Sequence, residues 1–239
     1  LPISVNLDSL LFRHDPDSSM AYRRTERVLQ HLAARHDGIV AAARAIAAES
    51  GLGAVQIAPV AARAGIAAGT VYRYFPAKTD LVGALIEAVS ARDIAAFRRA
   101  ADGAPGPLSA LAAGLITLAA QALRHRRLAW AVSGEPVDAA VDGLRLAGRR
   151  ALATEIELRI RAAIAGGHLP DQNAAVAAAA IVGMLLEGLI GPLAPPPDAG
   201  KARENVQTLT LLALRALGVV DARARGLVVQ SALPAEDAA

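Results

Sequence analysis

Between Gln56 and Lys78 the chain reads QIAPVAARAGIAAGTVYRYFPAK, and no other stretch constrains its fold as strongly. Ile57, Val60, Ala61 and Ala64 recur at the spacing that lays one apolar stripe along a short helix. Gly65 stops that helix, because glycine reaches the left-handed conformation that closes a helical end, and Ile66 is placed to fold back onto the same apolar face. A second short helix is expected from about Ala67 to Phe75, with Val71 and Phe75 four residues apart on its buried side. Ala68, Thr70, Tyr72, Arg73 and Tyr74 are left around its outer surface. Two short helices joined by a tight glycine turn, the second wet and partly basic, make a helix-turn-helix unit whose outer face can meet phosphates and base edges.

Composition agrees with helices throughout. Hydrophobic residues make up 54% of the 239-residue chain but aromatic ones only 3%, and most of the apolar share is alanine, the best helix former. The chain is long enough for one larger domain or two small ones without covalent staples. It has no cysteine, which removes disulfides, thiolate catalysis and cysteine-bound zinc and fits a cytoplasmic protein. The net charge is only +3, unevenly spread. From Met20 to Asp80 there are eight Lys or Arg against four Asp or Glu, a local +4, whereas residues 1–19 carry −2. The positive excess therefore coincides with the helix-turn-helix, as an electrostatic footprint on phosphate would.

The pattern A-x-x-A-G-I-x-x-G-T-V-Y-R-Y-F-x-x-K, with the apolar helix ahead of it, resembles the tetracycline-repressor-like (TetR) transcriptional regulators. The resemblance is detailed over roughly Arg35 to Val89 and architectural beyond. It implies an all-α protein: an N-terminal three-helix helix-turn-helix domain joined to a C-terminal helical dimerisation and ligand-sensing domain. It implies that Thr70, Tyr72 and Tyr74 touch the DNA backbone or nearby bases and that Lys78 binds phosphate at the start of the next helix. The chain departs from the usual pattern at Gln56, Ala58 and Ala68, where many relatives carry other, often polar or basic, residues. Base specificity is thus the least determined property of this reader. Arg23 and Arg24, just ahead of the first long helix, join the DNA-binding set as a basic arm suited to the minor groove; an ordinary solvated terminus is the alternative of equal standing.

Along the chain, residues 1–19 read as a non-native or disordered tail, with Met20 as the natural start. Residues 20–80 read as the DNA-binding domain, 81–218 as the ligand-binding and dimerisation domain and 219–239 as a C-terminal tail. A first helix is expected from about Thr25 to Ser50, bending near Gly38, and another from Ala77 to Ala101. The turn cluster Asp102 to Pro107 precedes five more: Leu108 to Arg124, Arg127 to Ser133, Val137 to Ala165, Gln172 to Leu193 and Lys201 to Leu217. Ala174 to Leu193 is long enough to span a membrane, but Glu187 inside it argues for a buried helix instead. Small residues Ala177, Ala180 and Gly183 would allow close approach of a second copy across a twofold axis; packing within one subunit is the alternative.

No catalytic site emerges: there is no phosphate-cradling glycine loop, no His pair at metal spacing and no cysteine nucleophile. Glu155 and Glu157, two apart on a helix, point to different faces. The basic run Arg124, His125, Arg126, Arg127 reads as a solvated helix end. The resemblance implies an effector cavity among the C-terminal helices, for which Trp130, Met184 and Glu187 are the candidate ligand-binding residues; plain core packing would explain Trp130 equally well. No cofactor and no metal are expected. The reading that results is a homodimeric repressor released from a near-palindromic DNA operator by a small-molecule effector, with no membrane partner. An activator or nonspecific DNA binder without effector remains the alternative, followed by an enzyme or helical interaction protein.

Overall fold

Apolar residues spaced three and four apart recur along almost every segment, so the chain buries its side chains helix against helix. The computed structural model describes residues 16–196 and 198–230, with side chains from residue 29 onward except at residue 199. Helix α1 (Pro16–Ser50) is followed by the short pair α2 (Ile57–Arg63) and α3 (Ala68–Tyr74), and then by α4 (Lys78–Asp102). Next come α5 (Pro107–Arg124), α6 (Arg126–Gly134), α7 (Ala139–Ala165), α8 (Ala174–Leu185), α9 (Ala202–Ala216) and α10 (Asp221–Gln230). Among the described residues there is no strand.

Three apolar clusters hold these helices together. The first joins α1, α2, α3 and the start of α4 through Ile39, Val60, Val71, Phe75, Leu81 and Leu85, and it also takes in Leu128, Ala131 and Val132 from α6. The second is built on Phe97, Leu111, Leu115, Ile156, Ile160 and Leu214, from α4, α5, α7 and α9. A smaller third cluster ties Ile116 and Ala119 of α5 to Leu189, Ile190 and Val206. Helix α4 contributes to the first two, so a displacement of its C-terminal half is felt in the N-terminal module.

Several sequence expectations change. Helix α1 begins at Pro16, well before Thr25, and passes Gly38 without interruption. Arg23 and Arg24 therefore lie on a helical backbone rather than in an extended arm; their side chains, like all of residues 1–15, lie outside the described residues. Residues 221–230, expected in a tail, form α10 and bury Ala224 and Val228; residues 231–239 lie outside the described residues. The helix long and apolar enough to cross a membrane is α5, not the 174–193 stretch, and half of it is buried against its neighbours. Helix α8 is shorter than expected because its last turn widens into a π-helical turn, Leu186–Ile190, a feature that hydrophobic periodicity does not encode.

Candidate nucleic-acid interface and cavity

The helix-turn-helix is fixed by its own backbone. Gly65 has φ +66°, the left-handed conformation at which a side chain is strained. The Ile66 N–H donates to Ala61 O (3.0 Å) and the Gly65 N–H to Ala62 O (3.2 Å), the paired bonds of a Schellman closure. Ile66 then packs against the first cluster, as the sequence led us to expect. Gln56 caps α2 in an extended conformation, and its side-chain amide donates to Gly53 O (3.0 Å). An ion pair between Arg63 and Glu49 (2.7 Å) ties α2 to α1.

Helix α3 turns Val71 and Phe75 inward, both almost fully buried. Tyr72 (53% exposed) and Arg73 face outward. Thr70, Ala68 and Tyr74 are half-buried, and Tyr74 and Ala68 lean on the first cluster. Phe75 also carries the His36 ring at a centroid distance of 5.0 Å, so that histidine braces the end of α3. Past Pro76, Lys78 is the first residue of α4 and is half-buried. The Asp80 carboxylate accepts from the Ala77 N–H (2.8 Å), closing that helix end. Lys78 thus stands in the first turn of α4, where free N–H groups favour an anion, four residues after the end of α3.

A second feature lies among α4, α5, α6, α7 and the end of α8. It is a cavity of about 140 Å³ walled by Leu118, Leu128, Val132, Leu152, Leu185 and Leu189 among others, with Arg92, Asp93, Gln121, His125, Ser133 and Arg149 as its polar members. None of Trp130, Met184 and Glu187 lines it. Trp130 lies along its own helix over Gly134, Met184 packs against the second cluster, and the half-buried Glu187 folds back toward Gly191. The three residues singled out in the sequence thus lie outside this cavity, on other faces of the helices around it. A single tryptophan and a lone acid in an apolar run attract attention by rarity, and rarity carries no angular information about a helix.

The residues that were missed have ordinary surroundings in the sequence. Burial pushes the Asp93 carboxyl up to about 6, against a smaller opposing pull from Arg92. Burial, and then the charges of Arg92, Arg124 and Arg44, hold His125 below the usual imidazole value. The basic run at 124–127 is thus not merely a solvated end: His125 faces the cavity, and Arg126 donates to Pro195 O (2.8 Å).

One polar connection joins the cavity wall to the reader. Immediately after α6, Glu135 Oε2 accepts from the Leu52 N–H (2.7 Å) in the turn between α1 and α2. Gly51 there has φ +82°, and a Cβ on it would stand 2.5 Å from the Glu135 carboxylate, so only glycine admits this approach. Arg145, 8% exposed on α7, donates to Val132 O and Glu135 O, each at 2.8 Å, and fixes the end of α6.

Residues 39–85 match the family described as bacterial regulatory proteins, tetR family. The chain is 46% identical over 71 residues to the HTH-type transcriptional repressor KstR of Mycobacterium tuberculosis, a match covering 29% of this chain and 32% of that protein; it thus spans about a third of the curated relative. Among solved structures, RolR in complex with resorcinol aligns at TM-score 0.61 and 22% identity, over 86% of this chain and 98% of that one. The FadR regulator of fatty acid degradation from Bacillus halodurans aligns at TM-score 0.62 and 20% identity, over 74% and 94%. A SmeT–triclosan complex aligns at TM-score 0.62 and 23% identity, over 77% and 91%. These likenesses extend the shared fold over both helical regions.

Proposed function

We propose that this chain, whose N-terminal domain belongs to the tetR family of bacterial regulatory proteins, is a ligand-responsive transcriptional repressor acting as a homodimer on a near-palindromic operator. The observation that carries the reading is the outward face of α3 set beside the positive first turn of α4, with Tyr72, Arg73 and Lys78 offering donors together. Thr70 and Tyr74 flank them, and Ala68 presents no polar group, so phosphate contacts supply most of the affinity and few base edges are read. Gln56, already bonded to Gly53, contributes one amide edge at most.

Dimerisation is supported by an uncovered strip on α8 and α9, where Val176, Ala180, Gly183, Thr208 and Leu212 are exposed. Small residues along α8 allow the close approach a helix-to-helix interface needs. Two α3 helices about 34 Å apart would enter successive major grooves. The cavity is the effector site of this reading, consistent with the small molecules that RolR and SmeT hold in their complexes. Helix α6 lines the cavity and ends on Glu135. A ligand that shifts α6 would therefore act on the α1–α2 turn as well as through α4, and would lower DNA affinity by its differential binding to the two arrangements.

The test is fluorescence anisotropy of labelled duplex from the gene's flanking DNA, at two salt concentrations and against unrelated competitor. Specific binding that weakens with salt, and a shallower salt dependence in Lys78→Ala, are expected. Equal binding to all sequences, or binding unmoved by Tyr72→Ala and Lys78→Ala, would overturn the reading.

A further inference from the structure

The cavity is walled mostly by apolar side chains, and among its polar members, Arg92, Asp93, Gln121, His125, Ser133 and Arg149, two acceptors stand out. Gln121 Oε1, on α5, is fully buried without a hydrogen-bond partner. Asp93, on α4, is half-buried, the Arg92 charge only partly opposes the upward push of its burial, and no hydrogen bond or ion pair reaches its carboxylate among the described residues. Acceptors left unpaired away from bulk water are costly and uncommon, and two of them lining one cavity call for donors that the surrounding side chains do not give them.

Charge narrows the ligand further. The same lining carries Arg92 and Arg149, with His125 beside them, so a cation would meet more positive charge than negative. An anion would be drawn by the two arginines but would bring further acceptors against the Asp93 carboxylate and the Gln121 carbonyl, which already lack donors. A neutral molecule with O–H groups meets neither objection. Size sets the last limit, because the room available, about 140 Å³, is close to that of an engineered protein cavity of roughly 150 Å³ that takes benzene.

We propose that this cavity binds a neutral, ring-sized apolar molecule bearing one or two hydroxyl groups, which donate to Asp93 and Gln121. The inference rests on reading the cavity as the effector site. The upward push on Asp93 fits it: with its carboxyl at about 6, the group is mostly ionised at neutral pH and remains an acceptor, while the energetic cost of its burial is relieved when a donor arrives.

Ligand-observed NMR titration of the full chain with four probes of one size tests the proposal: phenol, toluene, benzylamine and benzoate. Phenol is expected to bind at least about tenfold tighter than toluene, a preference worth roughly 1.4 kcal/mol, and tighter than either charged probe. In Gln121→Leu and separately in Asp93→Asn, the preference of phenol over toluene should fall several-fold while toluene binding persists. Toluene binding as well as phenol, a charged probe binding best, or no probe binding at all would overturn the ligand class. Operator release is measured separately in the same samples. Phenol that binds with the expected preference yet leaves the operator complex intact upholds the ligand class and sinks the effector reading, so the two failures are distinguishable.

Discussion

The 56–78 segment and the walls of the cavity are both alanine-rich helix, yet they are finished differently. In the first, the closure at Gly65, the cap at Ala77 and the Arg63–Glu49 pair satisfy the polar groups locally, and Val71 and Phe75 are packed without room to spare. In the second, Gln121 Oε1 has no partner, and the half-buried Asp93 carboxylate has no hydrogen-bond partner, its desolvation only partly offset by Arg92. One region spends its sequence on a single rigid shape. The other retains unfavourable polar burial that a well-packed core would have eliminated, as binding sites commonly do. The comparison can be broken at either end.

The largest effect is expected in the rigid region. Phe75 is 4% exposed and props α3 against α1, so Phe75→Ala should cost about 3–5 kcal/mol of unfolding free energy, read from urea denaturation. A loss below about 1 kcal/mol would mean that the first cluster collapses around the gap and is not the tightly packed region described.

The cavity should respond with the opposite sign. Asp93 moves from 3.8 to about 6 on folding, so the folded state holds its proton more tightly than the unfolded one. The cost of burying its charge is absent below pH about 3.8, grows between there and about 6, and is fully present above. Asp93→Asn should therefore stabilise the protein at about pH 7.5, by on the order of 1–3 kcal/mol, and the gain should fade toward about pH 4. Melting curves at the two pH values check it. A destabilised variant at neutral pH would show that the carboxylate is paired in solution and that the contrast between the two regions is false.

A finer comparison concerns backbone. Gly65→Ala places a Cβ at φ +66° with open space around it, so the cost should be the left-handed conformation alone, about 1–2 kcal/mol. A larger loss in thermal unfolding would mean that the turn is under tighter control than its closure bonds imply.

This difference also explains what was legible in the sequence. The reader was, because its determinants lie within one short stretch: Gly65 with Ile66, Val71 with Phe75, Pro76 with Lys78. Helix existence was legible too, through alanine content and apolar spacing. The cavity was not, because Asp93, Arg149 and the pair Gln121 and His125, one turn apart at the end of α5, come from three separate places along the chain and meet only when α4, α5 and α7 pack. Leu189 and Ile190, in the π-helical turn Leu186–Ile190, line the cavity while Glu187 in the same turn does not, a placement that regular helical spacing does not give. α10 was overlooked because Arg223, Arg225 and Gly226 break up a stripe that consists of little more than Ala224 and Val228.

The smallest expected effect lies where the two regions touch. Glu135 follows α6 of the cavity wall, and its carboxylate, bonded to the Leu52 N–H at 2.7 Å and 3.8 Å from Arg127, reaches the N-terminal module. Gln at 135 keeps an acceptor of the same shape and loses the charge, so the bond should weaken by about 1 kcal/mol without leaving the Leu52 N–H unpaired. Amide hydrogen exchange reads this directly: in Glu135→Gln the Leu52 amide should exchange about fivefold faster, while amides in α5 and α9 keep their rates. If all amides accelerate alike, the substitution has lowered global stability and Glu135 is an ordinary structural residue. If Leu52 alone responds, the α1–α2 turn opens independently of both cores. A shift of α6 at the cavity could then change the seating of α3 without unfolding either region.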